Sequence, residues 1–142
     1  EYTKRILEQQ TLLSQMKTCH PVTFMAGNYD SDRFYEMAKG LEHVAEGGER
    51  CSKCYELRLR EAAEVARKCG FDYFATTLSI SPLKNAAKLN EIGMRLAKEY
   101  GVDYLLSDFK KKNGYKRSIE LSKKYGLYRQ DYCGCEFSVP EK

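Results

Sequence analysis

The feature that most constrains the fold of this chain is the alternation of short apolar segments with amphipathic helical segments. Three apolar segments, at residues 21–27, 71–80 and 102–107, are predicted to be strands. Strand and helix recur about every 25–35 residues, which is the spacing of βαβ units. The sequence therefore predicts an α/β fold in which helices flank a parallel sheet.

Five helices are predicted around these strands, at residues 2–16, 31–41, 51–70, 82–100 and 115–125. An apolar stripe in the third consists of Leu59, Ala62, Ala66 and Cys69. Cys69 is therefore predicted to be a small core residue. We predict one α/β domain over residues 1–142, with a basic helix and a Cys-Gly-Cys segment at 109–138. Three strands are few for such a sheet, so one or two central strands are expected before Glu1.

Polar side chains follow each predicted strand. Asn28 and Asp30 come after the first strand, residues 77–81 after the second, and Ser107 and Asp108 after the third. In a parallel sheet the carboxyl ends of the strands share one edge, and ligands bind there. These side chains are therefore expected to line one edge together.

The net charge of +4 is concentrated near the C terminus. Residues 109–129 contain one acid, Glu120, against eight basic residues: Lys110, Lys111, Lys112, Lys116, Arg117, Lys123, Lys124 and Arg129. Such a segment favours a polyanionic partner, nucleic acid above all, although a solvated lysine-rich helix face is an equal alternative. Tyr115 within it could stack on a base or simply pack against the domain.

Six cysteines without an export signal favour metal binding or redox chemistry over a disulfide framework. Cys51 and Cys54 form a C-x-x-C motif at the start of a predicted helix, where both side chains share one face. A helix N terminus also favours the thiolate, the form that binds metals. The motif is compatible with two ligands of a zinc site, two ligands of an iron–sulfur cluster, or a redox dithiol.

Cys133 and Cys135, separated by Gly134, form a second pair far along the chain. They could supply the further ligands of a four-coordinate site. They could also form a reversible disulfide, because Gly134 permits the tight turn that bridging requires. A strained bridge has a raised reduction potential, as suits a catalytic dithiol. The spacing leaves both interpretations open.

The bulk composition, 42% hydrophobic and 31% charged, is that of a globular protein. No apolar run approaches the roughly 20 residues of a membrane-spanning helix, and no signal-peptide pattern occurs. The sequence therefore predicts a cytoplasmic location and no membrane partner.

Three blocks of the sequence resemble the QueH family, the cobalamin-independent epoxyqueuosine reductases. The blocks are GGERCSKCYELRL, FDYFATTLSISPLKN and GYKRSIELSKKYGLYRQDYCGC, and the similarity runs over residues 1–138. The resemblance implies a HUP or Rossmann-like α/β fold and reduction of epoxyqueuosine to queuosine at the tRNA wobble position. It also implies a bound anticodon stem-loop, for which the candidate RNA-binding residues are Lys110, Lys111, Lys112, Tyr115, Lys116 and Arg117.

By this resemblance, Cys51 and Cys54 are two ligands of a 4Fe–4S cluster, and Cys133 and Cys135 are a redox-active disulfide. The family's other two ligands come from a motif that begins with adjacent cysteines. This chain lacks such a motif, so alone it is expected to be inactive. Candidates for a proton donor or for ligands of a second metal ion are Asp30, Asp108 and Tyr132. The sequence does not identify the electron donor.

Two other functions are compatible with the residues. One is a non-catalytic RNA-binding module whose Cys₄ zinc site consists of Cys51, Cys54, Cys133 and Cys135. The other is a PP-loop-like nucleotide-binding enzyme, which is disfavoured because the sequence has no glycine-rich phosphate loop. Metal content distinguishes the first of these from an iron–sulfur enzyme.

Overall fold

The computed structural model describes residues 2–138, which divide into two compact units. One unit contains the described residues of 1–31 and 117–142, and the other contains residues 32–116. The helices are α1 (Tyr2–Gln15), α2 (Ser31–Ala38), α3 (Glu49–Cys69), α4 (Ala86–Tyr100) and α5 (Gly114–Lys124). The strands are β1 (Tyr73–Phe74) and β2 (Asp103–Tyr104), and 3₁₀ turns occur at Leu78–Ile80 and Glu136–Ser138. No helix within residues 2–138 is long and apolar enough to cross a membrane.

The sheet lies in the unit of residues 32–116. Strands β1 and β2 pair in parallel, with Tyr73 opposite Asp103 and Phe74 opposite Tyr104. Helices α3 and α4 pack against each other and against the strands. The buried core consists of Tyr55, Leu59, Ala63, Ala66, Phe74, Leu89, Ile92, Leu96, Val102 and Tyr104. The predicted α/β class, with helices flanking a parallel sheet, is confirmed.

Side-chain size decides how the helices approach the sheet. Helix α3 buries Leu59, Ala63 and Ala66, which are spaced by four and three residues and so form one stripe. In α4, a Cβ at Gly93 would overlap the ring of Tyr104. Glycine at this position therefore allows β2 to pack directly against the middle of α4. Cys69, predicted to be in the core, is exposed, because the buried stripe ends at Ala66 one turn earlier.

The predicted strand at 21–27 is wrong, because residues 16–30 contain neither helix nor strand. Val22 and Met25 are exposed by 55% and 60%, respectively. A strand is stabilised by hydrogen bonds to a neighbouring strand, and this segment has no such neighbour within the described chain. Asn28 and Asp30 consequently do not follow a strand.

The other two strands are shorter than predicted. In the predicted strand 71–80, only Tyr73–Phe74 pairs, and Leu78–Ile80 is a 3₁₀ turn. The next helix does not start at Ser81, which instead ends that turn. It begins at Ala86, because the side-chain oxygen of Asn85 caps the helix by accepting from the Lys88 N–H at 3.0 Å.

Candidate active site

Cys51 and Cys54 lie at the start of α3, which begins at Glu49. The prediction that the C-x-x-C motif opens a helix is confirmed. Their three-residue spacing places both half-buried side chains on one helix face. Cys51 lies in the first turn of α3, where backbone N–H groups have no intrahelical acceptor, and Cys54 lies in the second turn.

Each of these sulfur atoms accepts a hydrogen bond. The backbone N–H of Gly47 donates to Cys51 Sγ at 3.2 Å, and Arg58 Nε donates to Cys54 Sγ at 3.4 Å. Such donors orient metal-ligating sulfurs and tune the metal centre that they hold. Arg58 lies one helical turn after Cys54, so its role could have been read from the i,i+4 spacing.

Arg50 fixes the loop that precedes the C-x-x-C motif. It is only 2% exposed, and its Nη1 donates to the carbonyl oxygens of Leu41, Glu42 and Val44 at 3.0, 2.9 and 2.5 Å, respectively. These bonds hold residues 41–44 against the first turn of α3. The loop then continues to Gly47, so Arg50 indirectly positions the donor to Cys51.

A second loop closes on the same helix start. Lys84, in the turn before α4, pairs with Glu46 at 3.0 Å between Nζ and Oε1. Burial raises the pKa of Tyr55. The Lys84 charge opposes that rise, while the charges of Cys51 and Cys54 add to it. The phenol of Tyr55 therefore lies within electrostatic range of Lys84 and of both sulfurs.

The donor set at the start of α3 fits part of a metal centre. Two cysteine sulfurs on one helix face match two of the four ligands of a 4Fe–4S cluster or of a tetrahedral zinc ion. Within residues 2–138 no group of three or more cysteine, histidine, aspartate or glutamate side chains is arranged to hold a metal. A four-coordinate centre at this helix start would need two ligands besides Cys51 and Cys54.

The second cysteine pair lies in the other unit, in a turn directly before the 3₁₀ turn Glu136–Ser138. Gly134 has φ +85°, a left-handed conformation that favours glycine. Cys133 and Cys135 are half-buried, and Cys133 Sγ lies 2.8 Å from Ser138 Oγ. The sequence also predicts that folding brings Cys133 and Cys135 to the same site as Cys51 and Cys54, and this stays a prediction.

Helix α1 holds the chain that leads into this turn. The Glu8 carboxylate accepts from the Tyr128 N–H at 2.9 Å, and Lys4 Nζ lies 3.2 Å from the centroid of the Tyr128 ring. Arg5 Nη1 donates to Gln130 Oε1 at 3.1 Å. No sequence pattern indicated these contacts, because the partners are more than 100 residues apart.

The segments after β1 and β2 come together, as predicted for the carboxyl ends of parallel strands. Ser79 Oγ, fully buried, accepts from the Phe109 N–H at 3.2 Å. The Asn90 side chain bonds both the N–H and the C=O of Ser107, at 3.2 and 3.1 Å, and accepts from the Tyr104 hydroxyl. These bonds position the following residue, Asp108.

The basic segment begins at this edge. Asp108 pairs with Lys110 Nζ at 3.0 Å and more loosely with Lys111 Nζ at 3.9 Å. The other candidate RNA-binding residues are exposed: Lys112, Tyr115, Lys116 and Arg117. Arg117 pairs with Glu120 at 3.1 Å, so Lys112 and Lys116 are candidate phosphate contacts without a carboxylate partner within the described chain. The predicted helix over 115–125 is confirmed as α5.

The described residues form an α/β protein that carries two pairs of closely spaced cysteines, one at the start of α3 and one in a glycine turn. A family model described as epoxyqueuosine reductase QueH matches residues 1–141. The chain belongs to the QueH family, and the resemblance found in the sequence is confirmed.

Relatives with this name are similar to almost the whole chain. The epoxyqueuosine reductase QueH of Streptococcus pyogenes serotype M1 is 43% identical over 141 residues, which cover 98% of this chain and 55% of the relative. The QueH of Staphylococcus epidermidis is 43% identical, covering 98% of this chain and 60% of the relative. The QueH of Staphylococcus aureus is 41% identical, covering 100% of this chain and 61% of the relative. The chain therefore spans a little over half the length of these curated relatives.

Proposed function

We propose that this chain provides the cysteine centre and the RNA-binding surface of a cytoplasmic epoxyqueuosine reductase. This enzyme would convert epoxyqueuosine to queuosine at the wobble position of tRNA. The observation that carries the proposal is the QueH family match over residues 1–141. The chain also carries two cysteine pairs, one at a helix start and one in a glycine turn, which supports a metal or redox role for them.

Cys51 and Cys54 would hold two corners of a 4Fe–4S cluster. When bound, the cluster would supply electrons or polarise the epoxide oxygen. Gly47 and Arg58 would orient the two ligating sulfurs through their N–H groups. Asp30, Asp108 and Tyr132 are candidates for a proton donor or for ligands of a second metal ion.

Cys133 and Cys135 would deliver the reducing equivalents. Removing the epoxide oxygen breaks two C–O bonds, forms one C=C bond and releases water, which consumes two electrons and two protons. Oxidation of the two thiols to a disulfide releases two electrons and two protons, so the reaction balances. A cellular thiol reductant would then restore the dithiol.

Charge reversal in the basic segment tests the RNA surface. The triple variant Lys111→Glu, Lys112→Glu, Lys116→Glu is expected to weaken tRNA binding. The slope of log K against log salt, which is negative, should become shallower by about 2–3, because each lost phosphate contact removes about 0.7–0.9 from its magnitude. Filter binding over a salt series measures both effects.

The control reverses three exposed lysines outside the segment, at Lys39, Lys68 and Lys98, and so changes the net charge equally. If this control makes the salt dependence as shallow as the triple variant does, binding depends on net charge alone and the segment is not the RNA surface.

The function itself is tested on the whole protein that carries this chain, purified without oxygen. It is expected to be brown, to contain iron and acid-labile sulfide, and to yield queuosine in nuclease digests of epoxyqueuosine tRNA analysed by mass spectrometry. A colourless protein with stoichiometric zinc, no sulfide and no product would instead identify the zinc-binding RNA module.

A further inference from the structure

The Cys-Gly-Cys turn contacts two polar side chains that the reaction as proposed does not use. One is Ser138, whose hydroxyl lies 2.8 Å from Cys133 Sγ and donates to the Cys135 carbonyl oxygen at 3.0 Å. The other is Arg5 of α1, whose Nη1 lies 2.5 Å from the position that a Cβ would occupy at Gly134. Both contacts lie within one compact unit.

We propose that Ser138 and Arg5 are positioning residues of the Cys133–Cys135 dithiol and stabilise its reduced form, and that Cys133 is the sulfur that exchanges with thiol or disulfide partners. The inference rests on the proposed function only in that it takes this pair to be redox-active.

Ser138 can form a hydrogen bond with Cys133 both when Cys133 is a thiol and when it is a thiolate. A hydroxyl has one hydrogen and two acceptor lone pairs. When Ser138 donates to the Cys135 carbonyl, its oxygen accepts from the Cys133 S–H. When Cys133 is a thiolate, the same hydroxyl can turn and donate to the sulfur. A disulfide-bonded Cys133 has no proton to give and is a weak acceptor, so this bond favours the dithiol.

Arg5 places a permanent positive charge against the turn. Its Nη1 donates to Gln130 Oε1 at 3.1 Å, and Gln130 Nε2 donates to the Tyr132 carbonyl at 2.5 Å. The guanidinium is thereby fixed between α1 and the residues that lead into Cys133. A cation here stabilises a thiolate and has little effect on a neutral disulfide.

Stabilising the reduced form raises the reduction potential of the pair. The disulfide formed by a turnover would then be easily reduced again.

In the exchange with glutathione disulfide, the Cys133 thiolate attacks one sulfur of glutathione disulfide and releases one glutathione. Cys135 next attacks Sγ of Cys133, closes the Cys133–Cys135 bond and releases the second. Two electrons and two protons pass to glutathione disulfide, which becomes two molecules of glutathione.

The test measures this equilibrium in the 142-residue chain. The chain is equilibrated over a series of glutathione to glutathione disulfide ratios, quenched with acid, alkylated and digested with trypsin. Cleavage after Arg129 leaves residues 130–142 as a peptide whose only cysteines are Cys133 and Cys135. Mass spectrometry of this peptide therefore reports the oxidised fraction without interference from the other four cysteines.

Ser138→Ala and Arg5→Met are each expected to raise the oxidation equilibrium constant about fivefold, the effect of losing one hydrogen bond or close charge. This corresponds to a potential lower by roughly 20 mV for a two-electron couple. Ser138→Thr and Arg5→Lys should stay near the parent value, because they keep the hydroxyl and the charge. The controls Ser14→Ala and Lys17→Met remove a hydroxyl and a positive charge from exposed positions and should leave the constant unchanged.

The proposal would be overturned if Ser138→Ala and Arg5→Met left the oxidation equilibrium constant unchanged, or if the controls shifted it equally. A peptide that forms only mixed disulfides with glutathione would also overturn it. Circular dichroism checks that α1 is retained. If Arg5→Met loses it, Arg5→Gln, which keeps an amide donor toward Gln130 without the charge, replaces it. The predicted shifts combined with a whole protein that yields no queuosine would refute the reductase function and leave this inference standing.

Discussion

Serine at Cys51 or Cys54 is expected to remove iron and sulfide from the whole protein and to abolish turnover. Serine at Cys133 or Cys135 is expected to abolish turnover and leave iron and sulfide in place. The first pair would lose a thiolate ligand, for which a serine hydroxyl is a poor substitute at an iron–sulfur centre. The second pair could no longer form a disulfide. Iron and sulfide analysis together with the queuosine assay separates the two outcomes.

Cys69→Ser is the matched control, because Cys69 is an exposed cysteine on the same helix as the first pair. It should retain both metal and activity. Loss of iron from Cys133→Ser or Cys135→Ser would show that the second pair ligates the metal, and the redox role of that pair would have to be abandoned.

Arg50→Met is expected to lower the free energy of unfolding by about 3 kcal/mol or more. The methionine retains most of the buried apolar stem but leaves the carbonyl oxygens of Leu41, Glu42 and Val44 without their donor. A buried carbonyl left without a donor costs about 1–3 kcal/mol. The Leu41 oxygen keeps the Val44 N–H as a donor, and access of water to the exposed Glu42 lowers the sum. Urea unfolding of the chain, followed by circular dichroism, measures the change.

Arg67→Met is the control for this experiment, since the exposed Arg67 donates through Nη1 to one carbonyl, that of Tyr100, at 2.7 Å. We expect it to lose about 1 kcal/mol or less. Equal losses in the two variants would mean that Arg50 does not anchor the loop before Cys51. The argument that Arg50 positions the Gly47 donor would then fail as well.

Much of the helical structure followed from local sequence. Helix α3 starts just before Cys51 and ends at Gly70, and α4 ends at Gly101, each glycine adopting a left-handed C-cap. These features depend on residues within one or two turns of each other. The stripe of Leu59 and Ala66 likewise needed only the period of the helix.

The strands were predicted less well, because a strand is defined by its partner rather than by its own residues. The segment 21–27 has apolar composition but no pairing neighbour within the described chain, so it forms no strand. Ser81-Pro82 matched a helix start by local rules, yet the turn that it forms and the cap at Asn85 move the start to Ala86.

By itself, the sequence determined the α/β class, the positions of both cysteine pairs and the family, because these depend on order and spacing along the chain. Only the tertiary structure decided what surrounds those sulfurs. Arg50 reaches back to hold the loop before Cys51, and Arg5 reaches across more than 120 residues to Gly134. The first contact spans nine residues of irregular chain and the second more than 120, so both form only when the chain has folded, and periodicity and spacing carry no record of them.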